Sequence, residues 1–192
     1  LNLQHFKTGN VKNMSELFAD SSSLTSIDVT KFDTKNVKDM SRMFLDCMGL
    51  QSLDISNFNT ENVEDFSLMF SGCSDIKSLD VARFDTSKAK NTSKMFQFMT
   101  GLTSLDISRF RTPNLKDMSS MFEFCNKLEV IDVSQFDTSQ VTNMKGAFQD
   151  CSTITSLAIS NFNTKNVENM GKMFSGVGKV RNLDVSKFDT SK

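Results

Sequence analysis

Leu50-Gln51-Ser52-Leu53-Asp54-Ile55-Ser56-Asn57-Phe58-Asn59-Thr60-Glu61-Asn62-Val63-Glu64-Asp65-Phe66-Ser67-Leu68-Met69-Phe70-Ser71-Gly72-Cys73-Ser74-Asp75 is one unit of a 26-residue repeat that runs through all 192 residues. Three ladders set the register. Phe6, Phe32, Phe58, Phe84, Phe110, Phe136, Phe162 and Phe188 are each 26 apart, and Thr8 to Thr190 repeat with them. A second Phe row runs from Phe18 through Phe44, Phe70, Phe96, Phe122 and Phe148 to Phe174. A fixed period of this length marks an array in which each unit needs its neighbours to bury its apolar face.

Within the unit that starts at Leu24, Ile27 and Val29 alternate with Ser26, Asp28 and Thr30, the period-2 sign of a short strand buried on one face. Phe32 is expected to turn the chain into the core. Thr34 and Asn36 follow, both helix N-cap types, and Asn36 with Asp39 is read as a capping box. Pro113 stands just after a ladder Thr, a place suited to a helix start. Val37, Met40, Phe44 and Cys47 then fall at i, i+3, i+7 and i+10, which reads as the buried stripe of a short amphipathic helix.

Strand, turn, helix and turn in 26 residues predict an α/β, right-handed, leucine-rich-repeat-like solenoid. It would have a parallel sheet on one side, short helices on the other and about seven coils, roughly 35 Å long at one strand spacing per coil. Residues 1–192 form a single unit with no linker. The array begins and stops mid-unit without polar caps, so it reads as part of a longer one, with end-to-end self-association open to its uncapped ends. The weakest coil is expected at Lys88–Thr92, where Lys88 replaces a cap Asn and Thr92 a core Met.

Composition narrows function. A net charge of −1 with no basic block argues against nucleic acid. No apolar run is long enough to span a membrane. Trp and Tyr are absent, which argues against aromatic anchoring and sugar stacking. His5 is the lone histidine, in a slot that is polar in every other unit, and no nucleophile–base pair or phosphate loop occurs. The reading is therefore non-enzymatic, with no cofactor and no metal site.

The outward rows remain. Asp28, Asp54, Asp80, Asp106, Asp132 and Asp184 form a ladder broken only by Ala158, with Ser26, Ser52, Ser78 and Ser104 beside it. Stacked roughly 4.8 Å apart, like charges repel by about 0.8 kcal/mol per pair even in bulk water. Flanking hydroxyls and the N–H groups of the next turn are expected to offset this. A divalent-cation stripe is the alternative, and ice binding by the Thr row a remote one. Lys31, Arg83, Arg109 and Lys187 form a second candidate set, a basic turn slot. Cys47, Cys73, Cys125 and Cys151 share a slot with Ser21, Met99 and Val177. They read as buried free thiols, with Cys47–Cys73 and Cys125–Cys151 bridges as the alternative.

The frame Leu-x-Ser-Leu-Asp-Ile-Ser-x-Phe-Asn-Thr-x-Asn-Val, followed by the Met-Phe and Cys positions of the quoted unit, resembles the BspA-like leucine-rich repeats of surface proteins and lipoproteins in mycoplasmas, lactobacilli, other bacteria and some protists. The resemblance implies cell-surface or secreted location and adhesion to a protein or glycoprotein ligand on host or neighbouring cells. A passive spacer in a surface protein is the second hypothesis.

Overall fold

The computed structural model describes Leu3 and residues 5–191; the two ends of the array, Leu1 and Lys192, lie outside the described residues. Consecutive 26-residue units lie one on another. Parallel bridges join Asn13 to Asp39, Asp39 to Asp65, Asp65 to Asn91, Asn91 to Asp117, Asp117 to Asn143 and Asn143 to Asn169. Strands β1 (Ser78–Leu79) and β2 (Ser104–Leu105) pair in parallel, as do β3 (Val130–Ile131) and β4 (Ser156–Leu157), each with a 26-residue register. The parallel pairing and the register are those expected. The α/β architecture is not: among the described residues there is no helix, and the strands form two separate two-stranded pairs rather than a continuous sheet.

Where a helix was expected over Val37–Cys47, the chain makes consecutive tight turns. Met43 N–H bonds to Met40 C=O at 3.2 Å, Leu45 to Arg42 at 3.1 Å and Cys47 to Phe44 at 3.3 Å. The intervening N–H groups leave the coil. Met40, Arg42, Phe44 and Asp46 donate to the carbonyls of Asp65, Ser67, Met69 and Ser71 in the next coil, at 2.8–3.0 Å. An α-helix would spend those donors on its own carbonyls.

Backbone dihedrals make the difference definite. Two slots lie in the left-handed region in every coil. The first holds Glu16, Arg42, Leu68, Lys94, Ser120, Gly146 and Lys172; the second holds Asp20, Asp46, Gly72, Phe98, Phe124, Asp150 and Gly176. All have φ between 53° and 76°. A positive φ at the third residue of a four-residue turn is the signature of type II, and such residues occur singly rather than in helices. The apolar spacing had two solutions: successive turns bury Val37, Met40, Met43, Phe44 and Cys47 completely, as a helix would. The capping box is replaced too. Asn36 Nδ2 donates to Gly9 C=O of the preceding coil at 2.7 Å, and Asp39 accepts from Ser41 N–H at 2.9 Å.

This geometry reverses an ordinary substitution effect. Leu68→Gly would cost about 1 kcal/mol inside a helix. At φ 56° it relieves a left-handed cost of about 1–2 kcal/mol, set against a freer unfolded chain. The urea midpoint is expected to stay level or rise, while Leu68→Val lowers it through a stability loss of about 1 kcal/mol, β-branched residues being least tolerant of positive φ. A clear loss with glycine would contradict the turn assignment.

The core is a column of side chains stacked in register. Rings of the second Phe row, from Phe18 to Phe174, stack at centroid distances of 5.5–6.1 Å with interplanar angles no larger than 19°. The Thr row supplies a buried polar seam. Thr112 Oγ1 donates to Asp137 C=O at 3.0 Å and accepts from Asp137 N–H at 2.9 Å. The same exchange recurs from Thr8, Thr34, Thr60, Thr86, Thr138 and Thr164 to the following coil. The sequence leaves this row two structural roles, capping a helix or bonding the next coil, and bonding the next coil is the one observed. The coil at Lys88–Thr92 keeps its cross-coil bonds, and Lys88 Nζ occupies the cap slot by donating to Asn62 Oδ1 at 2.7 Å.

Candidate functional site

Asp28, Asp54, Asp80, Asp106, Asp132 and Asp184 are all exposed, as are Ser26, Ser52, Ser78 and Ser104. The stacking register carries them along one side of the coils, and Ser78 and Ser104 are directly paired. Each ladder Asp is also engaged by its own turn. Its Oδ1 accepts the N–H of the residue two positions on: Thr30 at 3.0 Å, Ser56 at 3.0 Å, Ala82 at 3.1 Å, Ser108 at 3.0 Å, Ser134 at 3.0 Å and Ser186 at 3.0 Å. Hydroxyls of Thr30, Ser56, Ser108 and Ser186 add bonds of 2.6–2.7 Å to the same oxygens. These are Asx turns, in which a short acidic side chain closes the bend. The expected offset to carboxylate repulsion is therefore present.

Electrostatics agree. The Ser56 hydroxyl, then its N–H, hold the Asp54 carboxyl below the usual value of 3.8 although the Asp28 charge pushes the other way. Asp132 is lowered by Ser134 against the charge of Asp106 in the same manner. Asp28, Asp106 and Asp184 are lowered chiefly by hydroxyls of Thr30, Ser108 and Ser186. A carboxyl that is more acidic when folded stabilises the fold above its unfolded pKa, and loses that contribution as pH falls through the folded value. The melting temperature is expected to be level from neutrality to about pH 5 and to fall below about pH 4. A melting temperature that rises on acidification would contradict this role.

Two further Asx rows were not singled out in the sequence. One is Asp33, Asn59, Asp85, Asp137, Asn163 and Asp189; the other runs from Asn13 to Asn169 through the bridge positions. The recurrence of Asp or Asn every 26 residues would have found them; Ser two positions on is present in only part of each row.

Lys31, Arg83, Arg109 and Lys187 are exposed and share one slot of the stack. Asn57 and Asn161, in the same slot, are used internally: their Nδ2 atoms donate to Thr30 and Phe32, and to Ser134 and Phe136, at 2.7–3.2 Å. The slot therefore presents long cations at some coils and a structural amide at others. His5 is exposed in a turn.

The four cysteines are free and buried, each Sγ bonding a carbonyl of the preceding coil at 3.0–3.1 Å. Burial pushes the thiols up, to about 11 at Cys47 and about 12 at Cys151, away from nucleophilic use. Among the described residues no three His, Cys, Asp or Glu side chains converge as a metal site would require, and no helix is long and apolar enough to cross a membrane.

Residues 1–104, 27–130 and 94–192 each match one family, described as a mycoplasma protein of unknown function, DUF285. No curated protein and no solved structure matches the chain.

Proposed function

The chain belongs to the mycoplasma family DUF285, whose description assigns no function, and we propose that it is a non-enzymatic, surface-displayed recognition module. It binds a protein or glycoprotein on host or neighbouring cells. The repeat consensus resembling BspA-like surface proteins supports this reading. The observation that carries it is the combination of a backbone held coil to coil with an exposed slot that varies. Lys31, Arg83, Arg109 and Lys187 stand where Asn57 and Asn161 are structural. Variation at outward positions, on a frame whose cross-coil bonds repeat, is what a recognition surface requires.

The test is binding of the purified chain to immobilised mucin and matrix proteins. Variants combine Arg83→Gln with Arg109→Gln, or Asp54→Asn with Asp106→Asn. Asn preserves the Asx turn, as Asn59 and Asn163 show in a neighbouring row, so loss of binding would report the charge rather than the fold. Binding that survives both sets of changes, or none above background with the native chain, would overturn the proposal. A passive spacer is the competing reading, and the use of every ladder Asp in its own turn favours it. It predicts no ligand for any variant.

A further inference from the structure

The turn face of the coils carries a feature outside the Asp ladder and the basic slot. Its first left-handed position reads Lys94, Ser120, Gly146, Lys172 in four successive coils. Two small residues between two lysines leave a dent, and a cavity of about 310 Å³ lies there. A Cβ at Gly146 would stand 3.1 Å from Ser120 Oγ, so a side chain at this position would fill the floor. Lys94 and Lys172 are three coils apart, about 14 Å at one strand spacing per coil. Lys145 adds a third ammonium group at the wall.

Among the described residues most lysines and arginines stand outside ion pairs, these three included. Lys35, Arg42 and Lys90 form ion pairs with Asp33, Glu16 and Glu64. Lys94, Lys145 and Lys172 take part in none among the described residues and are exposed. The one carboxylate in the lining, Glu123, already accepts from Gln97 Nε2 at 2.5 Å. Three cations thus face one engaged anion. The Ser119 and Ser120 hydroxyls lie between them, and neither makes a side-chain hydrogen bond among the described residues.

We propose that this dent binds an anionic sugar, one bearing a sulfate, phosphate or carboxylate group on a hydroxyl-rich ring. The ammonium groups recognise the anion. The serine hydroxyls exchange hydrogen bonds with ring hydroxyls, which a bare anion would leave unused. No aromatic stacking is invoked, consistent with the absence of Trp and Tyr. A nucleic acid is the less favoured occupant. Its affinity depends on many phosphates meeting a basic track, whereas this cavity is a single one on a chain of net charge −1. The site uses other residues than the recognition surface proposed above, so either assignment stands or falls without the other.

Calorimetric titration decides it, with a sulfated disaccharide, a carboxylated one, their uncharged parent, inorganic sulfate and a short single-stranded DNA as probes. At least one charged disaccharide is expected to bind saturably, at least about tenfold tighter than the uncharged parent or sulfate alone. Which of the two binds tighter tells a tetrahedral sulfate-like group from a planar carboxylate. Combining Lys94→Gln with Lys172→Gln should weaken binding at least about tenfold. Lys77→Gln with Lys127→Gln removes the same charge elsewhere and should leave it unchanged. Ser120→Leu should abolish binding by filling the dent, with the fold kept because Leu68 already occupies this slot at φ 56°; an unchanged melting temperature checks that. Absence of saturable binding, equal loss in the control pair, sulfate binding as tightly as the disaccharides, or preference for DNA would overturn the assignment.

Discussion

Replacing Phe96 with Ala is expected to destabilise the chain by about 3–5 kcal/mol. Phe96 is completely buried and stacks on both neighbours in the column, with centroids 5.9 Å from Phe70 and 5.7 Å from Phe122. The truncation removes a ring's worth of apolar burial and leaves a gap that in-register neighbours cannot close without breaking their own cross-coil hydrogen bonds. Phe98 is the internal control. It lies two residues away, is 43% exposed and stacks only on Phe124, at 4.9 Å. Phe98→Ala should cost about 0.5–1.5 kcal/mol, the worth of an aromatic pair. Urea unfolding of both variants measures the contrast, and equal losses would contradict the buried column. Because stability in a stacked array passes between neighbours, the Phe96 variant should also broaden the transition.

The second large effect concerns the buried polar seam. Thr112→Val keeps shape and volume but removes the one group that satisfies both Asp137 N–H and Asp137 C=O. Thr112 has 0% exposure, so water does not replace it without opening the coil. Each unsatisfied buried backbone group costs about 1–3 kcal/mol, giving a loss of about 2–6 kcal/mol for the two. Thr112→Ser retains the hydroxyl and loses one methyl, worth about 0.8 kcal/mol. The order of stability, native above Ser and Ser well above Val, is the expected result. Val tolerated as well as Ser would mean that the seam is decorative.

These two rows show how far the sequence could be read. The period, the register and the buried identity of Phe18 to Phe148 followed from spacing alone, because identical residues at a fixed interval must meet when units stack. That the Thr row bonds the next coil was one of two open readings, since a cap hydroxyl and a cross-coil hydroxyl use the same residue type. The helix did not survive, for a physical reason. Eleven residues with apolar positions at i, i+3, i+7 and i+10 are buried equally well by a helix and by successive turns. The evidence against a helix lay in the outward slots. Asp20, Asp46 and Asp150 exchange with Gly72 and Gly176 at one position, with Phe98 and Phe124 in the two remaining coils. Asp and Gly share little except tolerance of positive φ and of turns. A reading organised around the buried stripe passes over that exchange.

The candidate site was legible in part. The Asp ladder was recognised as a feature, and its Asx role was among the offsets anticipated for it. The 26-residue register already aligns Lys94 with Lys172, 78 positions on, but the space left at Ser120 and Gly146 was not legible, because it depends on the left-handed turn that this slot adopts.

Far-UV circular dichroism of the purified chain tests the central claim most directly. A stack of coils built from consecutive turns and very short parallel strands should show no paired helical minima, in water at neutral pH and below its melting transition. A spectrum carrying those minima, at the strength of one short helix per coil, would contradict the turn-built architecture and with it the placement of the dent.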